Sequence, residues 1–343
     1  LKAIVVAAPD RVSLEEVETP SCGAQDVLIR THRTGICATD LKILHGLMPE
    51  GSVTYPLIPG HEFSGTVAEV GSEVTDLAPG TRVVAEGRVP CLHCPRCLAG
   101  DTNLCDEDEQ IGFTRSGALA EYLVAPRRVV HPIADALSFE AAALIEPAAS
   151  VVRAVERVAL EDGESVGVIG VGTLGSIALK LAVSHAPSLL CAYGITSAEL
   201  ERATRIGATE AFDNSTGAAI EATRNLAPGG LDVVIEAAGS AAAVESAFQL
   251  VRPGGRIALL GSPGTGQTVS LDADALMRKD VSLYGCLSYT SRAWAQTLEL
   301  LANGSLKLDD LVEETFAPER FADAFAALEG SSSAHPKVML EFP

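Results

Sequence analysis

The chain has 343 residues, 47% of them hydrophobic and 4% aromatic, with 31 glycines and a formal net charge of -20. That length exceeds one ordinary core and suits two domains, and the glycine-rich, aliphatic composition suits helices packed closely on sheets. The acidic balance excludes a nucleic-acid surface, which needs clustered Lys and Arg, and no apolar stretch reaches the length of a membrane span. The opening LKAIVVAAPDRVSL breaks its short apolar run at Pro9 and Asp10 and does not read as a signal peptide, so the expected location is the cytoplasm. In that reducing compartment eight cysteines point to metal or buried thiols rather than disulfides.

Up to about residue 150 the chain shows short apolar runs punctuated by Gly and Pro: KAIVV, DVLIRT, GTVAEVG, TRVVAEG and AEYLV. This pattern predicts an all-β module. Within it lies CLHCPRCLAGDTNLC, which carries Cys91, Cys94, Cys97 and Cys105. Four thiolates fill a tetrahedral zinc site and leave no position for substrate, so this site is read as structural, with a disulfide-bonded loop as the alternative. Cys37 in GICATD, His61 and Glu62 in PGHEFSG and Glu146 in ALIEPAA form a sparser group of one thiol, one imidazole and two carboxyls. Taken singly each has a plain explanation as a core or surface residue. In company with a dinucleotide motif they become a candidate catalytic zinc site with an exchangeable position. Cys22, Cys191 and Cys286 read as ordinary apolar or loop thiols.

After about residue 160 strands alternate with helical segments. SVGVIG, SLLCAY, DVVIEA, RIALLG and VSLYG are strand candidates, with helical spacing between them, which predicts a parallel sheet covered on both faces. GVGTLG follows the first of these strands. Gly170 permits a tight turn, Gly172 a close approach to a pyrophosphate and Gly175 close helix packing, while the helix that begins at Thr173 and Leu174 offers free amides. A glycine-rich turn without a ligand is the alternative, which the position directly after a strand and at the start of a helix disfavours. The second strand ends at Gly194, where NAD-binding folds usually place an acid, and Thr196 and Ser197 follow with hydroxyls. This leans the cofactor toward NADP, although Arg202 and Arg205 could simply face solvent. The last third holds two amphipathic helices, RAWAQTLELLANG and ERFADAFAALEG, a loop GSSSAH and a final apolar stretch KVMLEF. Pattern alone does not say which domain they join.

GICATD, PGHEFSGTVAEVG, the four-cysteine lobe, ALIEP and GVGTLG, in this order and at these separations, resemble the zinc-dependent medium-chain dehydrogenase/reductase superfamily, the alcohol and polyol dehydrogenases. The resemblance covers essentially the whole chain. It implies an α/β protein: a GroES-like β-barrel catalytic domain over 1–152 and 288–343 with both zinc sites, and a Rossmann doubly wound NAD(P)-binding domain over 153–287. It also implies that Cys37, His61 and Glu146 or a water bind the catalytic zinc, with Glu62 as a ligand or an adjacent switch. Thr39 would begin a proton relay, and Lys42 or His45 would finish it. Two departures matter. Lys42 stands where family members often carry His, and Ser288 precedes Tyr289 where sorbitol dehydrogenases place Arg, which argues against sorbitol itself.

The implied reaction moves a hydride between a secondary alcohol of a polyol, cyclitol or sugar-like substrate and NAD(P), giving a ketone, or runs in reverse. Zinc lowers the pKa of the substrate hydroxyl. An amino-alcohol or threonine-type dehydrogenase is the rival within enzymes, and a catalytically silent dinucleotide-binding protein the rival outside them. Besides its small-molecule substrate the expected partner is a second copy of the chain, as a homodimer or homotetramer paired through sheet edges near RIALLG and VSLYGCL.

Overall fold

The computed structural model describes every residue except Thr265 and the run 331–335, so the GSSSAH loop lies, but for Gly330, outside the described residues. The chain divides into two compact units. One comprises Leu1–Glu146, the segment that begins at Thr290, and Lys337–Pro343; the other is built on Pro147–Tyr289.

In the first unit a seven-stranded sheet is organised around the strand Asp26–Ile36, which pairs antiparallel with Glu62–Val70, with Tyr122–Pro126 and with the C-terminal strand Lys337–Glu341. Val27 and Ile29 on this strand point into a core shared with Phe63, Val67, Val83 and Leu123, and that shared burial fixes the register. The pairing has a functional consequence. Gly35 lies opposite Glu62, and Val338 opposite Ile36, so the end of one strand and the starts of two others meet at one place. Cys37, His61, Glu62 and Lys337 stand at those ends.

The second unit holds six parallel strands: Ser165–Ile169, Leu189–Gly194, Glu210–Asp213, Leu231–Glu236, Val251–Leu259 and Ser282–Gly285. Counted along the chain, their order across the sheet is 3-2-1-4-5-6. This is the doubly wound order whose ligands lie beyond the carboxyl ends of the strands, where the winding reverses between the first strand and the fourth. Helices such as Thr173–Ser184, Ser197–Ile206 and Ala241–Leu250 connect the strands. Glu210–Asp213 has no counterpart among the sequence-predicted strands; it is four residues long, contains no fully buried side chain and pairs with one neighbour only. RIALLG lies in the fifth strand and has a neighbour on each side, so it offers no free edge; the edge strand on that side is Ser282–Gly285. Among the described residues no helix is long and apolar enough to cross a membrane.

Candidate metal centre and cofactor site

Cys37 caps the short helix Ala38–Leu44, and its own backbone N–H donates to Asp40 Oδ2 at 2.8 Å. Asp40 is thereby fixed, fully buried, with its other oxygen 3.4 Å from His61 Nδ1. That separation is wide of a well-formed hydrogen bond but close enough for charge attraction, and it leaves His61 Nε2 as the nitrogen available to a metal. Burial opposes a charge on the His61 ring, yet Asp40 and Cys37 outweigh it and hold the pKa well above the usual histidine range. Donor atoms of Cys37, His61 and Glu62 all lie within 4.8 Å of one another. A thiol, an imidazole and a carboxyl at that spacing form a donor set suited to zinc.

Glu146 stands outside this tight trio. It lies in the first turn of the helix Ile145–Arg157 and is close enough to respond electrostatically to His61 and Glu62. Its pKa is pushed up to about 7, by burial first; the charge of His61 opposes the shift and that of Glu62 adds to it. The Thr39 hydroxyl is 3.6 Å from Cys37 Sγ. His45 ends the same helix at the surface, with Nδ1 2.6 Å from Asp10 and Nε2 2.8 Å from Glu329, so both ring nitrogens are engaged by carboxylates.

The four-cysteine lobe is a second, closed site. Cys91, Cys94, Cys97 and Cys105 also have their sulfurs within 4.8 Å of one another. All eight cysteines are free, and Cys91 and Cys97, like Cys94 and Cys105, stand 4.0 Å apart, so the disulfide alternative is not what the structure holds. Backbone N–H groups of Cys94 and Cys91 donate to the sulfurs of Cys91 and Cys105 at 3.3 Å, as in thiolate turns. The thiols shift in opposite directions: hydrogen bonds from the Asp106 and Cys97 backbones draw Cys94 down to about 6, while burial drives Cys97 up to about 12. Four thiols so crowded ionise together only around a cation, so the residues fit a metal with no open position.

In the second unit each glycine of GVGTLG has a physical reason. Gly170 has φ +84°, and a Cβ there would stand 2.7 Å from Ala238. A Cβ on Gly175 would fall 1.7 Å from the Gly170 carbonyl oxygen. At Gly172 a Cβ would meet no atom within 4 Å, so the packing of the protein does not itself demand glycine there, and the space is open to an approach from outside. Gly172 also caps the helix Thr173–Ser184 without a side-chain hydrogen bond, which leaves the first-turn amides for an anion. The residues therefore fit a dinucleotide. Thr173 uses its hydroxyl to donate to the Pro336 carbonyl, and Leu174 follows it half-buried in the first turn.

Comparison with known proteins agrees with this geometry. Residues 23–135 match the family described as "Alcohol dehydrogenase GroES-like domain", and residues 173–303 the family described as "Zinc-binding dehydrogenase". Sorbitol dehydrogenase of Bacillus subtilis (strain 168) is 31% identical over 327 residues, 94% of this chain and 92% of its own. The chain belongs to the zinc-dependent medium-chain dehydrogenase/reductase family. L-threonine 3-dehydrogenase of Mesorhizobium japonicum is 32% identical over 350 residues, covering 100% of this chain and 99% of that protein. Among solved structures, a chain described as a zinc-binding dehydrogenase from Sinorhizobium meliloti 1021, bound to NADP, superposes with a TM-score of 0.93 at 30% identity over 99% of both chains.

As a medium-chain dehydrogenase the protein is an alcohol or polyol oxidoreductase that uses zinc and NAD(P). Several residues around its sites carry no signal in the linear sequence. Lys337, 2% exposed, donates from Nζ to Glu62 Oε2 at 2.6 Å and to the Ile36 carbonyl, and the charge of Glu62 keeps the pKa of this buried ammonium raised against the cost of burial. Gly35 makes room for the same carboxylate, since a Cβ there would lie 2.4 Å from Glu62 Oε2. Arg202 does not face solvent: it is 3% exposed, and Nε and Nη2 donate to the Val171 carbonyl of the glycine-rich loop at 3.0 and 2.7 Å. Arg205 is exposed. Glu199, 5% exposed, puts a carboxylate beside Gly194, where the sequence shows no acid. The one sequence clue to it is T-S-A-E, a helix-capping pattern over Thr196–Glu199.

Proposed function

We propose that this dehydrogenase oxidises a secondary alcohol of a polyol, cyclitol or sugar-like substrate to a ketone, or catalyses the reverse reduction, with both metal sites in the GroES-like unit and NAD(P) on the Rossmann unit. The observation that carries the reading is the Cys37–His61–Glu62 cluster, with its imidazole and carboxyl buried and its thiol partly exposed, in a chain whose Gly172 opens outward at a helix N-terminus. When bound, zinc supplies Lewis-acid polarisation of the substrate oxygen, and NAD(P) takes up or returns the hydride.

The chain's own residues do the rest. Cys37 and His61 hold the metal, Asp40 orients His61, and Lys337 fixes Glu62 within reach of the site as a ligand or a neighbouring charge. Glu146, with its pKa near 7, serves as a further donor or holds a water. The Thr39 hydroxyl takes the proton of the substrate hydroxyl and passes it outward. Lys42, three residues along the same helix, shares a face with Thr39 and is a candidate outer member of the relay beside His45, whose ring nitrogens contact Asp10 and Glu329. Cys91, Cys94, Cys97 and Cys105 hold the structural zinc.

Free thiols throughout the chain support a reducing, cytoplasmic setting. The exposed edge strand Ser282–Gly285, with Leu283 39% exposed and Leu287, two residues past its end, 54% exposed, supports a homodimer or homotetramer paired through that edge. The threonine-type relative, aligned over the whole chain, keeps an amino alcohol as the second substrate reading. Rates of reduced-nicotinamide formation on polyols, cyclitols, amino alcohols and simple secondary alcohols, with NAD and with NADP, decide between them. Turnover confined to amino alcohols would overturn the polyol reading. Silence on every class in protein that binds nucleotide and carries zinc in the lobe alone would favour the catalytically silent protein instead.

A further inference from the structure

The second strand of the Rossmann unit ends at Gly194, and the chain turns through Ile195 and Thr196 into the helix Ser197–Ile206. In dinucleotide-binding folds this strand end usually carries an acid that reaches the 2′-hydroxyl of the adenosine ribose. Here the strand residue is glycine, yet the place is not without a carboxylate. Glu199, in the first turn of the helix, folds back so that its Oε2 accepts the Ile195 N–H at 2.7 Å. Its side chain occupies the space a residue at 194 would need: a Cβ on Gly194 would stand 2.8 Å from Glu199 Cβ and 3.1 Å from Glu199 Oε2. Gly194 and Glu199 are thus one arrangement, in which the acid comes from the helix rather than from the strand.

A capping glutamate at a helix start is normally a solvated surface residue, whereas Glu199 is 5% exposed at the carboxyl end of a central strand. Of the groups that would welcome a phosphate there, Ser197 and Arg205 are exposed, and the other two are engaged within the protein. Thr196 Oγ1 accepts the Glu199 N–H as the helix cap, and Arg202 directs Nε and Nη2 to the Val171 carbonyl. One Ile195 N–H leaves a carboxylate with acceptor capacity for a ribose hydroxyl.

We propose that Glu199 sets the nucleotide preference of this enzyme: its carboxylate receives the ribose 2′-hydroxyl of NAD and opposes the 2′-phosphate of NADP. The proposal rests on the reading of GVGTLG as the dinucleotide loop. The test measures binding rather than turnover. NADH and NADPH are titrated, by nicotinamide fluorescence or calorimetry, into the full-length wild type and Glu199→Gln, and thermal melting of both proteins is recorded. Glutamine keeps an oxygen for the Ile195 N–H and removes the charge. The expected result is that the wild type binds NADH about tenfold or more tighter than NADPH, and that Glu199→Gln narrows this ratio about tenfold, through tighter NADPH binding, as loss of a like charge near a phosphate requires. Equal or tighter NADPH binding by the wild type overturns the proposal, a result that stands even if the variant folds poorly. An unchanged ratio in a variant that melts like the wild type overturns it too, and leaves Glu199 a helix cap. Binding of neither nucleotide by the wild type fells the dinucleotide reading itself, and the proposal with it.

Discussion

Lys337 and Glu62 are 275 positions apart, and each is almost fully buried. A buried ammonium removed from its carboxylate leaves an uncompensated charge, so Lys337→Met is expected to destabilise the metal-free protein by about 3 kcal/mol in a denaturant titration. Stability equal to the wild type would show that Glu62 finds another partner or a proton. His45 makes a different prediction, one of pH. Hydrogen bonds to Glu329 and then Asp10 raise its pKa above the usual value of 6.5. Groups whose folded pKa is raised stabilise fully below the unfolded pKa and lose that contribution as pH rises through the folded one. The melting temperature of His45→Gln should therefore fall below that of the wild type at pH 5.5 and match it at pH 9. The effect is small because the ring is 40% exposed, and an equal deficit at both pH values would exclude the charged pairings as its source. Neither arrangement is legible in a linear reading: Lys337 opens an ordinary apolar strand, and Asp10 and Glu329 meet His45 only through the fold.

The glycine-rich loop and the cysteine lobe were the most legible elements, because their spacing along the chain is itself the geometry. Their glycines nevertheless differ in a way that only the packing reveals. Gly175→Ala forces a Cβ against the Gly170 carbonyl and should lower the melting temperature sharply. Gly172→Ala meets no protein atom, so it should melt like the wild type while binding NADH at least tenfold more weakly, as a methyl group at the pyrophosphate contact implies. Loss of folding in Gly172→Ala with nucleotide affinity intact would reverse those roles. In the lobe, Cys94→Ser opens a closed site and should reduce thermal stability before it reduces turnover per folded molecule. The strand Glu210–Asp213 escaped the sequence pattern for the opposite reason: a four-residue edge strand with no fully buried side chain leaves no apolar run to find. Glu199 escaped because its role depends on a helix turning back onto Gly194, and the sequence offers only a capping pattern there.

At the scale of the whole molecule, the proposed function gives each of the two units its own part of one reaction, and the motifs of each are local enough to be read in order along the chain. The sequence groups Cys37, His61, Glu62 and Glu146 as candidate donors through the dinucleotide motif and the family resemblance; what it could not supply is how closely each stands to the others. Cys37, His61 and Glu62 converge because the strands Asp26–Ile36 and Glu62–Val70 pair with Gly35 opposite Glu62, whereas Glu146 remains outside the 4.8 Å trio. The account turns on there being two kinds of zinc site, one closed and one catalytic. The most direct test is zinc counted per chain by mass spectrometry in the wild type and in His61→Ala, each purified without chelator. Two zinc ions per wild-type chain, falling to one in a folded and inactive His61→Ala, is the predicted result. An unchanged zinc content in His61→Ala with turnover preserved would contradict the assignment of the catalytic site.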